Sequence, residues 1–599
     1  MKNKDLEKLI NDVDIDVDFN KINSKINYSK YQKVPEKKSV FKFRYALVSL
    51  LALLVVSFGG NSLYVNLYNN NLDRKIEKML NDSIKLEKIE NDSDYQKALS
   101  NNNLVFDGER KVSWIEQIVE GVEPPKGEMP TGSSDMIYEG NTSDQTQTKP
   151  NQTETNVQVK GIDEADVSKC DGEYVYAAYK KNLVIYNLEG NKIVNESLEV
   201  NKGRNNLYVQ DDYVILLNTF YTRIYEFKNE TLTILEDIKY SSIMDSRLEG
   251  NDLYLVVNDF LLDELQQNEN LYYACGVKAT NKYSIYKYNL VEKELEKTSN
   301  LNAGSVRLYM STNHIYLATL CRYYVKDYGY RLITITSIFN KELEPVGAVK
   351  VDGYVLNQFS MDEYNGYFRV VTYDTSREKN KVNGLYIYDL NTLKIVGSIN
   401  ENLGEGKQSV KSVSFNKDKC HVVTYEIKDP LYEIDLSDVT NPKIVSVYKA
   451  PGYSGYLKNF EINGESYLFG LGYLDDQCFT KISIYKETIE GSIQIGEDFV
   501  MSHIYVSNEV DLHLENFNYE EFLNHKALFI YQEEDKLYLG WKVEYEKYYI
   551  FEIDVNAEEK VSVYKTIDMK DRYENSRCYL IDGKLYITDS EDLEIHNFN

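Results

Sequence analysis

Two observations predict an all-β fold, a β-propeller of about eight four-stranded blades. A short polar turn leading into an alternating apolar and aromatic strand recurs about nine times after residue 156, as in Asp171–Tyr176 and Asp582–Ile587. A second strand, often ending in a pair such as Ile-Tyr, follows these copies, as in Leu183–Leu188. Repeated units of this kind, spaced by roughly 40 to 70 residues, are typical of propeller blades.

The strand count predicts the blade number and the way the ring closes. The repeated phrases lie near residues 173, 213, 253, 315, 367, 420, 466, 536 and 585. The last unit offers only three strands before Asn599. Because nine-bladed rings are rare, we expect eight blades, allowing one more or fewer. We expect Asn156–Lys160 to supply the missing outer strand, so that the N- and C-terminal strands close the ring and remove an exposed sheet edge.

The composition is that of a folded, acidic protein. The chain has 599 residues, of which 42% are hydrophobic, and a formal net charge of -27. Because nucleic-acid binding depends on a basic surface, this charge disfavours a nucleic-acid partner. The cysteines lack the close spacing of a zinc site or a redox dithiol. We therefore expect most of them to be buried residues on strands. They stand at positions 170, 275, 321, 420, 478 and 578.

An apolar stretch without charged residues precedes the repeats. Residues 45–67 are long enough to cross a hydrocarbon core of ~30 Å at ~1.5 Å per helical residue. Basic residues crowd the upstream flank, which places residues 1–44 in the cytoplasm and the repeats outside the cell membrane. They are Lys30, Lys33, Lys37, Lys38, Lys42 and Arg44. The sequence therefore predicts a single-pass membrane anchor, with a cleaved signal peptide as the alternative.

Two further segments are expected between the anchor and the repeats. Apolar residues at Ile76, Leu80 and Ile84 have helical spacing, which predicts a helical juxtamembrane stalk over residues 68–120. Residues 121–155 are rich in Thr, Ser, Gln, Asn and Pro, which predicts a flexible linker. The propeller domain then occupies residues 156–599, separated from the membrane by the linker.

A group of acidic residues at the start of the propeller is the candidate metal site. Asp163, Glu164, Asp166 and Asp171 are dense enough to bind calcium through carboxylate oxygens. The alternative is that these side chains cap turns and neighbouring strands where the ring closes. The sequence assigns no catalytic residue and no other cofactor, and a structural hydrogen bond is expected of His525.

Several phrases resemble a bacterial family of secreted or membrane-anchored proteins with a C-terminal β-propeller domain distantly related to WD repeats. They include Asn156–Asp166, Asn357–Tyr367, Asp429–Asp438, Pro451–Ser454 and Asn524–Ala527. The resemblance covers about 440 residues at the level of motifs. It implies the fold and an extracytoplasmic location, and it carries no catalytic residue to this chain.

These features favour a surface-displayed module without enzymatic activity that binds another protein or an envelope polymer. One alternative is an enzyme acting on glycans or peptides, with acids such as Asp362, Glu363 or Asp429 in the central funnel. Such an enzyme would need two carboxyl groups roughly 5 to 10 Å apart. The other alternative is a transmembrane sensor whose inner contact is the tail of residues 1–44.

Overall fold

The computed structural model describes residues 84–100 and 155–599, the latter with short gaps. The gaps are 199–204, 260–269, 275–278, 303, 326–328, 375–381, 405–407, 426–427, 475–478, 489–490, 503–523, 545–546, 570–575 and 590–591. The chain divides into two compact units, and the first, residues 1–70 and 111–126, lies outside the described residues. The predicted tail, the anchor at 45–67 and most of the predicted stalk and linker also lie outside them. Within the described part, no helix combines the length and apolar character needed to span a membrane.

The described part of the second unit begins with a short strand and a helix, β1 (Leu86–Lys88) and α1 (Asp92–Ser100). Nine sheets follow in chain order, blades 1 to 9. Blades 1 and 2 contain β2 (Ser168–Cys170), β3 (Tyr174–Ala178), β4 (Asn182–Asn187) and β5 (Lys192–Ser197), then β6 (Asn206–Gln210), β7 (Tyr213–Asn218), β8 (Tyr221–Lys228) and β9 (Thr231–Lys239). Blade 3 contains β10 (Ile243–Glu249), β11 (Asp252–Asp259), β12 (Leu271–Ala274), β13 (Asn281–Asn289) and β14 (Leu295–Asn302).

The central blades repeat the four-stranded antiparallel order, and blade 7 carries one additional strand. Blades 4 and 5 contain β15 (Val306–Met310), β16 (His314–Val325), β17 (Gly329–Asn340) and β18 (Pro345–Asp352), then β19 (Met361–Tyr364), β20 (Tyr367–Asp374), β21 (Val382–Asp389) and β22 (Lys394–Ile399). Blades 6 and 7 contain β23 (Ser409–Asn416), β24 (Lys419–Tyr425), β25 (Lys428–Asp435) and β26 (Lys443–Pro451), then β27 (Tyr453–Ile462), β28 (Glu465–Leu474), β29 (Phe479–Thr488), β30 (Gly491–Gln494) and β31 (Phe499–Ser502).

The last two blades differ in strand number. Blade 8 contains β32 (Phe529–Glu533), β33 (Lys536–Glu544), β34 (Lys547–Asp554) and β35 (Val561–Asp568). Blade 9 contains β36 (Arg577–Ile581), β37 (Lys584–Thr588) and β38 (Leu593–Asn597). The predicted number of eight blades is therefore wrong by one, because the last repeat forms a separate sheet of three strands.

The burial pattern shows which strands face the ring axis. Second strands such as β7 are almost entirely buried because they are covered on both faces by the neighbouring blades. Fourth strands such as β9 are largely exposed and form the outer rim. First strands of neighbouring blades contact each other, as β2 does with β6 and β23 with β27, so they surround the axis.

Tight turns connect the strands as the repeated phrases predict. The Asn365-Gly366 and Asp582-Gly583 turns have both residues at positive φ, with values of 51° and 82° for the first and 48° and 73° for the second. Positive φ at both central positions is the geometry that favours Asn-Gly and Asp-Gly in two-residue hairpins.

Side-chain packing closes the ring between blades 9 and 1. A buried apolar cluster joins Tyr579 and Tyr586 of blade 9 to Val175 of blade 1. The Tyr586 hydroxyl donates to the Leu188 carbonyl oxygen at 3.1 Å, and the Tyr179 hydroxyl donates to the Asp592 carbonyl oxygen at 3.0 Å. The two blades thus pack face to face and do not share a sheet.

The predicted closure by Asn156–Lys160 is wrong. These residues form no strand, and blade 9 has three strands in the described part of the chain. The side chains of Asn156 and Gln158 instead hydrogen-bond to blades 5, 7 and 8 near the axis. This segment is therefore positioned by polar contacts inside the ring, and it does not pair with a strand at the rim.

The predicted helical juxtamembrane stalk is not supported by residues 84–100, of which only Asp92–Ser100 form a helix. Ile84 forms a bridge with Ala348 at the outer strand of blade 4, and β1 pairs with β12 at the rim of blade 3. Helix α1 buries Tyr95 and Ala98 in a cluster with Tyr273. Because these residues gain burial on blade 3, they form part of the ring's rim, which we call the rim segment (residues 84–100).

We expect Ala98→Asp to release the rim segment from blade 3. Ala98 is 0% exposed, and a carboxylate there would be buried in an apolar cluster, which is strongly unfavourable. Limited proteolysis should cut residues 84–100 faster in this variant, while the melting of the ring changes little. Gln96→Asp, on the exposed face of the same helix, is the matched control. Equal cleavage of the two variants would contradict this packing.

Candidate functional site at the ring axis

Residues 155–167 cross the inside of the ring, and we call them the axial strap. Asp163 exchanges backbone hydrogen bonds of 2.7 and 3.0 Å with Leu248 of β10. Asp166 exchanges backbone hydrogen bonds of 3.2 and 2.7 Å with Leu207 of β6. Because β6 and β10 are the first strands of their sheets, the strap pairs with their free inner edges.

The beginning of the strap binds blades 7 and 8. The Asn156 side-chain amide donates to the Tyr456 hydroxyl at 2.8 Å and to the His525 carbonyl oxygen at 2.9 Å. Lys458 Nζ donates to Asn156 Oδ1 at 2.7 Å. Burial lowers the pKa of Lys458 to about 8. One asparagine side chain therefore connects two blades to the strap.

Glu164 lies at the centre of this network and is 4% exposed. Its Oε1 accepts from the Gln158 N–H at 3.1 Å and from Gln358 Nε2 at 3.0 Å, and its Oε2 lies 3.1 Å from His525 Nε2. Arg247 Nη2 donates to Gln358 Oε1 at 2.5 Å. Burial alone would raise the pKa of Glu164, but the positive charges of Arg247 and His525 hold it well below its usual value.

Two short 3₁₀ turns with the same capping pattern present the donors to Glu164. In Gln358–Ser360 the side chain of Asn357 accepts from the Phe359 N–H, and in His525–Ala527 the side chain of Asn524 accepts from the Lys526 N–H. The residue directly after each capping asparagine, Gln358 or His525, contacts Glu164. Sequence reasoning noted both phrases but did not pair them with this acid.

Asp166 forms a second buried charge pair, with blade 9. Arg577 Nε lies 2.6 Å from Asp166 Oδ2, and Arg577 Nη2 lies 2.8 Å from Asp166 Oδ1. Burial favours the neutral form of Asp166, but Arg577 outweighs this effect and lowers its pKa. This two-point contact fixes the end of the strap to the last blade.

The other two predicted metal-site acids have protein partners as well. Asp163 Oδ1 accepts from Lys169 Nζ at 2.6 Å. Asp171 lies in the β2–β3 turn of blade 1, where Oδ1 accepts from the Tyr174 N–H at 2.8 Å and Oδ2 accepts from the Tyr176 hydroxyl at 2.6 Å. The structure thus brings Asp163, Glu164 and Asp166 together on the strap and places Asp171 elsewhere.

These contacts support the capping interpretation of the four acids. Across the described residues, no three His, Cys, Asp or Glu side chains are grouped in a way that would hold a metal ion. Calcium binding stays a prediction.

The acids considered for catalysis point in different directions. Asp362 and Glu363 are consecutive on β19, so their side chains lie on opposite faces of the sheet. Asp362 Oδ2 accepts a hydrogen bond from Arg369 Nε at 2.8 Å. Glu363 accepts from the Tyr316 hydroxyl at 2.6 Å and lies 3.0 Å from His314 Nδ1. Asp429 lies on β25, the third strand of blade 6, and its side chain lies outside the described residues.

A buried polar cluster between blades 6 and 7 was missed by sequence reasoning. Ser492 donates to Glu433 Oε2 at 2.5 Å and lies 3.2 Å from His421 Nε2. Glu433 Oε2 lies 3.7 Å from the same His421 nitrogen. A catalytic triad needs the acid on the other nitrogen, Nδ1, which has no hydrogen-bond partner among the described residues. With His421 0% exposed, the cluster joins two blades and does not form a nucleophile site.

The four cysteines in the described residues are free thiols on strands, and three of the four are buried, which agrees with the predicted burial. Cys321, Cys420 and Cys578 are buried, and Cys170 is half-buried. Burial raises the pKa of the Cys321 thiol to about 12, so this thiol is protonated at neutral pH.

We expect Asp166→Asn to destabilise the ring by about 3 to 5 kcal/mol, because it leaves the buried Arg577 charge without its partner. Asp237→Asn is the matched control, because Asp237 forms a similar two-point contact with Arg223 on the outer strand of blade 2. Both partners are partly exposed there, and we expect a loss of less than about 1 kcal/mol. Chemical denaturation measures both, and equal losses would show that the strap contact does not secure the ring.

We expect Glu363 to make stability depend on pH below pH ~4. Burial opposes its ionisation, but hydrogen bonds from His314, Ser311 and Tyr316 lower its pKa to about 2. Its contribution is therefore complete above the unfolded pKa of ~4.3 and is lost as the pH falls towards about 2. Glu363→Gln should reduce the difference in unfolding free energy between pH ~6 and pH ~2.5 by about 2 kcal/mol. An unchanged difference would contradict this prediction.

Comparison with known proteins gives relatives for most of the chain. An uncharacterised protein of Methanocaldococcus jannaschii is 25% identical over 548 residues, covering 75% of this chain and 84% of the relative. An uncharacterised protein of Archaeoglobus fulgidus is 27% identical over 423 residues, which cover 53% of this chain and 67% of the relative. Both relatives are archaeal, so the bacterial and secreted parts of the predicted resemblance are not confirmed.

Solved structures with a similar fold are more distant. Hsv2p of Kluyveromyces lactis is 11% identical and covers 60% of this chain and 96% of its own, with a TM-score of 0.31. Apo AztD from Citrobacter koseri is 10% identical, and the match covers 69% of this chain and 96% of AztD, with a TM-score of 0.31. At these values the likeness carries no argument about function.

The beta propeller domain family matches residues 152–270 and 262–599, which include all nine blades and the axial strap. The match agrees with the repeated sheets and with the sequence prediction of a propeller. The chain belongs to the beta propeller domain family.

Proposed function

We propose that this protein is a membrane-anchored, extracytoplasmic binding module without enzymatic activity, which holds another protein or an envelope polymer. The observation that carries the proposal is the state of the axial acids. Glu164 and Asp166 are almost fully buried and bound to protein donors. These acids therefore stabilise the ring, and they are not free to act on a substrate in its funnel.

The enzyme alternative has weaker support. The consecutive acids Asp362 and Glu363 each bind a basic or hydroxyl side chain on a different face of β19. They do not form the facing carboxyl pair that glycoside hydrolysis requires. The sensor alternative depends on residues 1–44, which lie outside the described residues.

The outer rim offers a surface suited to binding. On β26 the exposed positions are Lys443, Val445, Val447 and Lys449, so two apolar side chains lie between two basic ones. Exposed apolar side chains continue on the outer strands of blades 7 and 8, at Ile493, Val500, Val563 and Tyr564. Groups of exposed apolar residues with a polar border are typical of protein interaction sites. An acidic and apolar partner surface would complement this rim.

The position of the rim segment bears on how an anchored ring would be held. If residues 45–67 span the membrane, the 16 residues 68–83 separate the span from Ile84, which binds the rim of blade 4. The predicted linker then follows this contact in the chain and does not separate the ring from the membrane.

Anchoring is tested by fractionating cells that produce the full chain. We expect the protein in the membrane fraction, with added protease degrading the propeller in cells whose envelope layers outside the membrane have been removed. A variant lacking residues 45–67 should leave the membrane fraction. Recovery of the intact chain in the soluble fraction would contradict the proposed location.

Binding is tested with the full chain in detergent as bait for solubilised envelope proteins and polymers. We expect the double variant Val445→Glu, Val447→Glu to lose the retained partner, because two carboxylates replace the apolar centre of β26. Ile234→Glu, at an exposed position 52% accessible on the outer strand of blade 2, is the control and should retain it. Loss of the partner in neither variant would exclude the rim of blade 6. Turnover of a glycan or peptide by the purified chain would support the enzyme alternative.

A further inference from the structure

Among the described residues, the outer edge of blade 9 lacks the fourth strand that all other blades have. Blades 1 to 8 each place a fourth strand, or more, beyond the third, whereas the sheet of blade 9 ends at β38 in the described residues. The axial strap does not fill this position, because it lies inside the ring. A strand with unpaired N–H and C=O groups is a template for pairing with another strand.

The hydrogen bonds around β38 identify the groups that point outward. The Phe598 N–H donates to Gly583 O at 2.8 Å, and the Asp589 N–H donates to Asp592 O at 3.0 Å, so the even-numbered residues face β37. The backbone groups of Leu593, Ile595 and Asn597 therefore point away from the sheet. Lys565 Nζ donates to the Asn597 carbonyl oxygen at 2.6 Å, which agrees with this assignment.

The same protein already extends one blade in this way. At blade 3, β12 lies beyond β14, and β1 pairs with β12 although Leu86 and Ala274 are far apart in the chain. Adding a distant strand to an outer edge is thus a packing mode that this fold accommodates.

We infer that β38 pairs with β38 of a second copy of this chain, which joins two blades 9 into one continuous six-stranded antiparallel sheet. The edge is self-complementary about Ile595. In an antiparallel pair centred there, the outward groups of Ile595 bond those of Ile595 in the other copy. The Asn597 N–H donates to the Leu593 carbonyl oxygen of the other copy, while Lys565 keeps its bond to the Asn597 carbonyl oxygen. Glu594 then lies opposite His596, so each acid faces a group that can carry a positive charge.

The contact between Glu594 and His596 is present within one chain before any association. Glu594 Oε2 lies 3.2 Å from His596 Nε2 on the same face of β38. Glu594 is 8% exposed. In the paired sheet each carboxylate gains the His596 ring of the other strand as a second neighbour. A second copy therefore fits this edge in both backbone register and charge.

The symmetry of this pair agrees with anchoring in one membrane, a point that rests on the proposed function. The two-fold axis of an antiparallel strand pair is perpendicular to the sheet, and it is therefore tangential to the ring at blade 9. Blades 1, 2 and 3 follow blade 9 along that tangent. Both copies thus present the rim of blade 3, with β1 and α1, to the same side of the dimer, where one membrane can hold both anchors.

The contact is small, since β38 has only five residues. A five-residue edge buries less surface than stable interfaces do, and joint anchoring would raise the local concentration of the two copies. The test therefore uses the full chain in its membrane and in purified detergent micelles.

Cysteine crosslinking tests the register directly. In Ile595→Cys the two cysteines lie opposite each other across the two-fold axis, at a spacing that a disulfide can bridge. Mild oxidation of membranes should give a covalent dimer. The wild-type chain controls for the six native cysteines, and Ile234→Cys, on the exposed outer strand of blade 2, controls for random collisions. Equal crosslinking of Ile595→Cys and Ile234→Cys would overturn the inference.

A proline variant tests the same edge without a crosslink. Ile595→Pro removes an N–H that points outward, so the β37–β38 ladder keeps its bonds. We expect self-association of the full chain in detergent, measured by sedimentation, to weaken by roughly tenfold, the factor for losing the two hydrogen bonds of that pair. An unchanged melting temperature shows that the blade is intact, and Leu593→Pro replaces this variant if it is not. A monomeric wild-type chain in both membrane and detergent, or an undiminished dimer in the proline variant, would overturn the inference. If the wild-type chain is found outside the membrane fraction but is still a dimer, the result contradicts the proposed anchoring and leaves the strand pairing supported.

Discussion

The buried carboxylate of Glu164 is the contact on which the centre of the ring depends. It takes donors from Gln358 before blade 5 and from His525 before blade 8, while Arg247 of blade 3 holds Gln358 in place. A buried charge is stable only when its partners are all present. Blades far apart in the ring must therefore be placed correctly together before this network can form.

This requirement explains why the ring can close without a shared sheet. Propellers commonly remove free edges by pairing their terminal strands, but here blade 9 packs against blade 1 through side chains such as Tyr579 and Tyr586. The connection between the ends of the domain is made at the axis by Asp166 and Arg577. Polar closure at the centre leaves blade 9 without a fourth strand in the described residues, and that edge is where we propose that a second copy pairs.

The rim and the axis thus have different chemistry and different roles. Acids near the axis have basic or amide partners and stabilise the fold. Apolar side chains such as Val445 and Val447 lie at the rim, where they are 45% and 44% exposed among the described residues. A ring whose axial acids are paired internally and whose rim strands expose apolar side chains is suited to binding. The rim segment fixes where the upstream chain meets the ring, because it packs on blades 3 and 4.

The sequence by itself determined the blade architecture, because strand alternation and turns such as Asp582-Gly583 are local properties. It also marked the phrases around Glu164, Gln358 and His525, but only the tertiary structure showed that they meet. Blade number, the path of Asn156–Lys160 and the docking of residues 84–100 depended on contacts between residues hundreds of positions apart, as in the Asn156–Tyr456 hydrogen bond. Local spacing cannot distinguish a strand at the rim from a strap at the axis, because both are short polar segments whose partners lie in other blades.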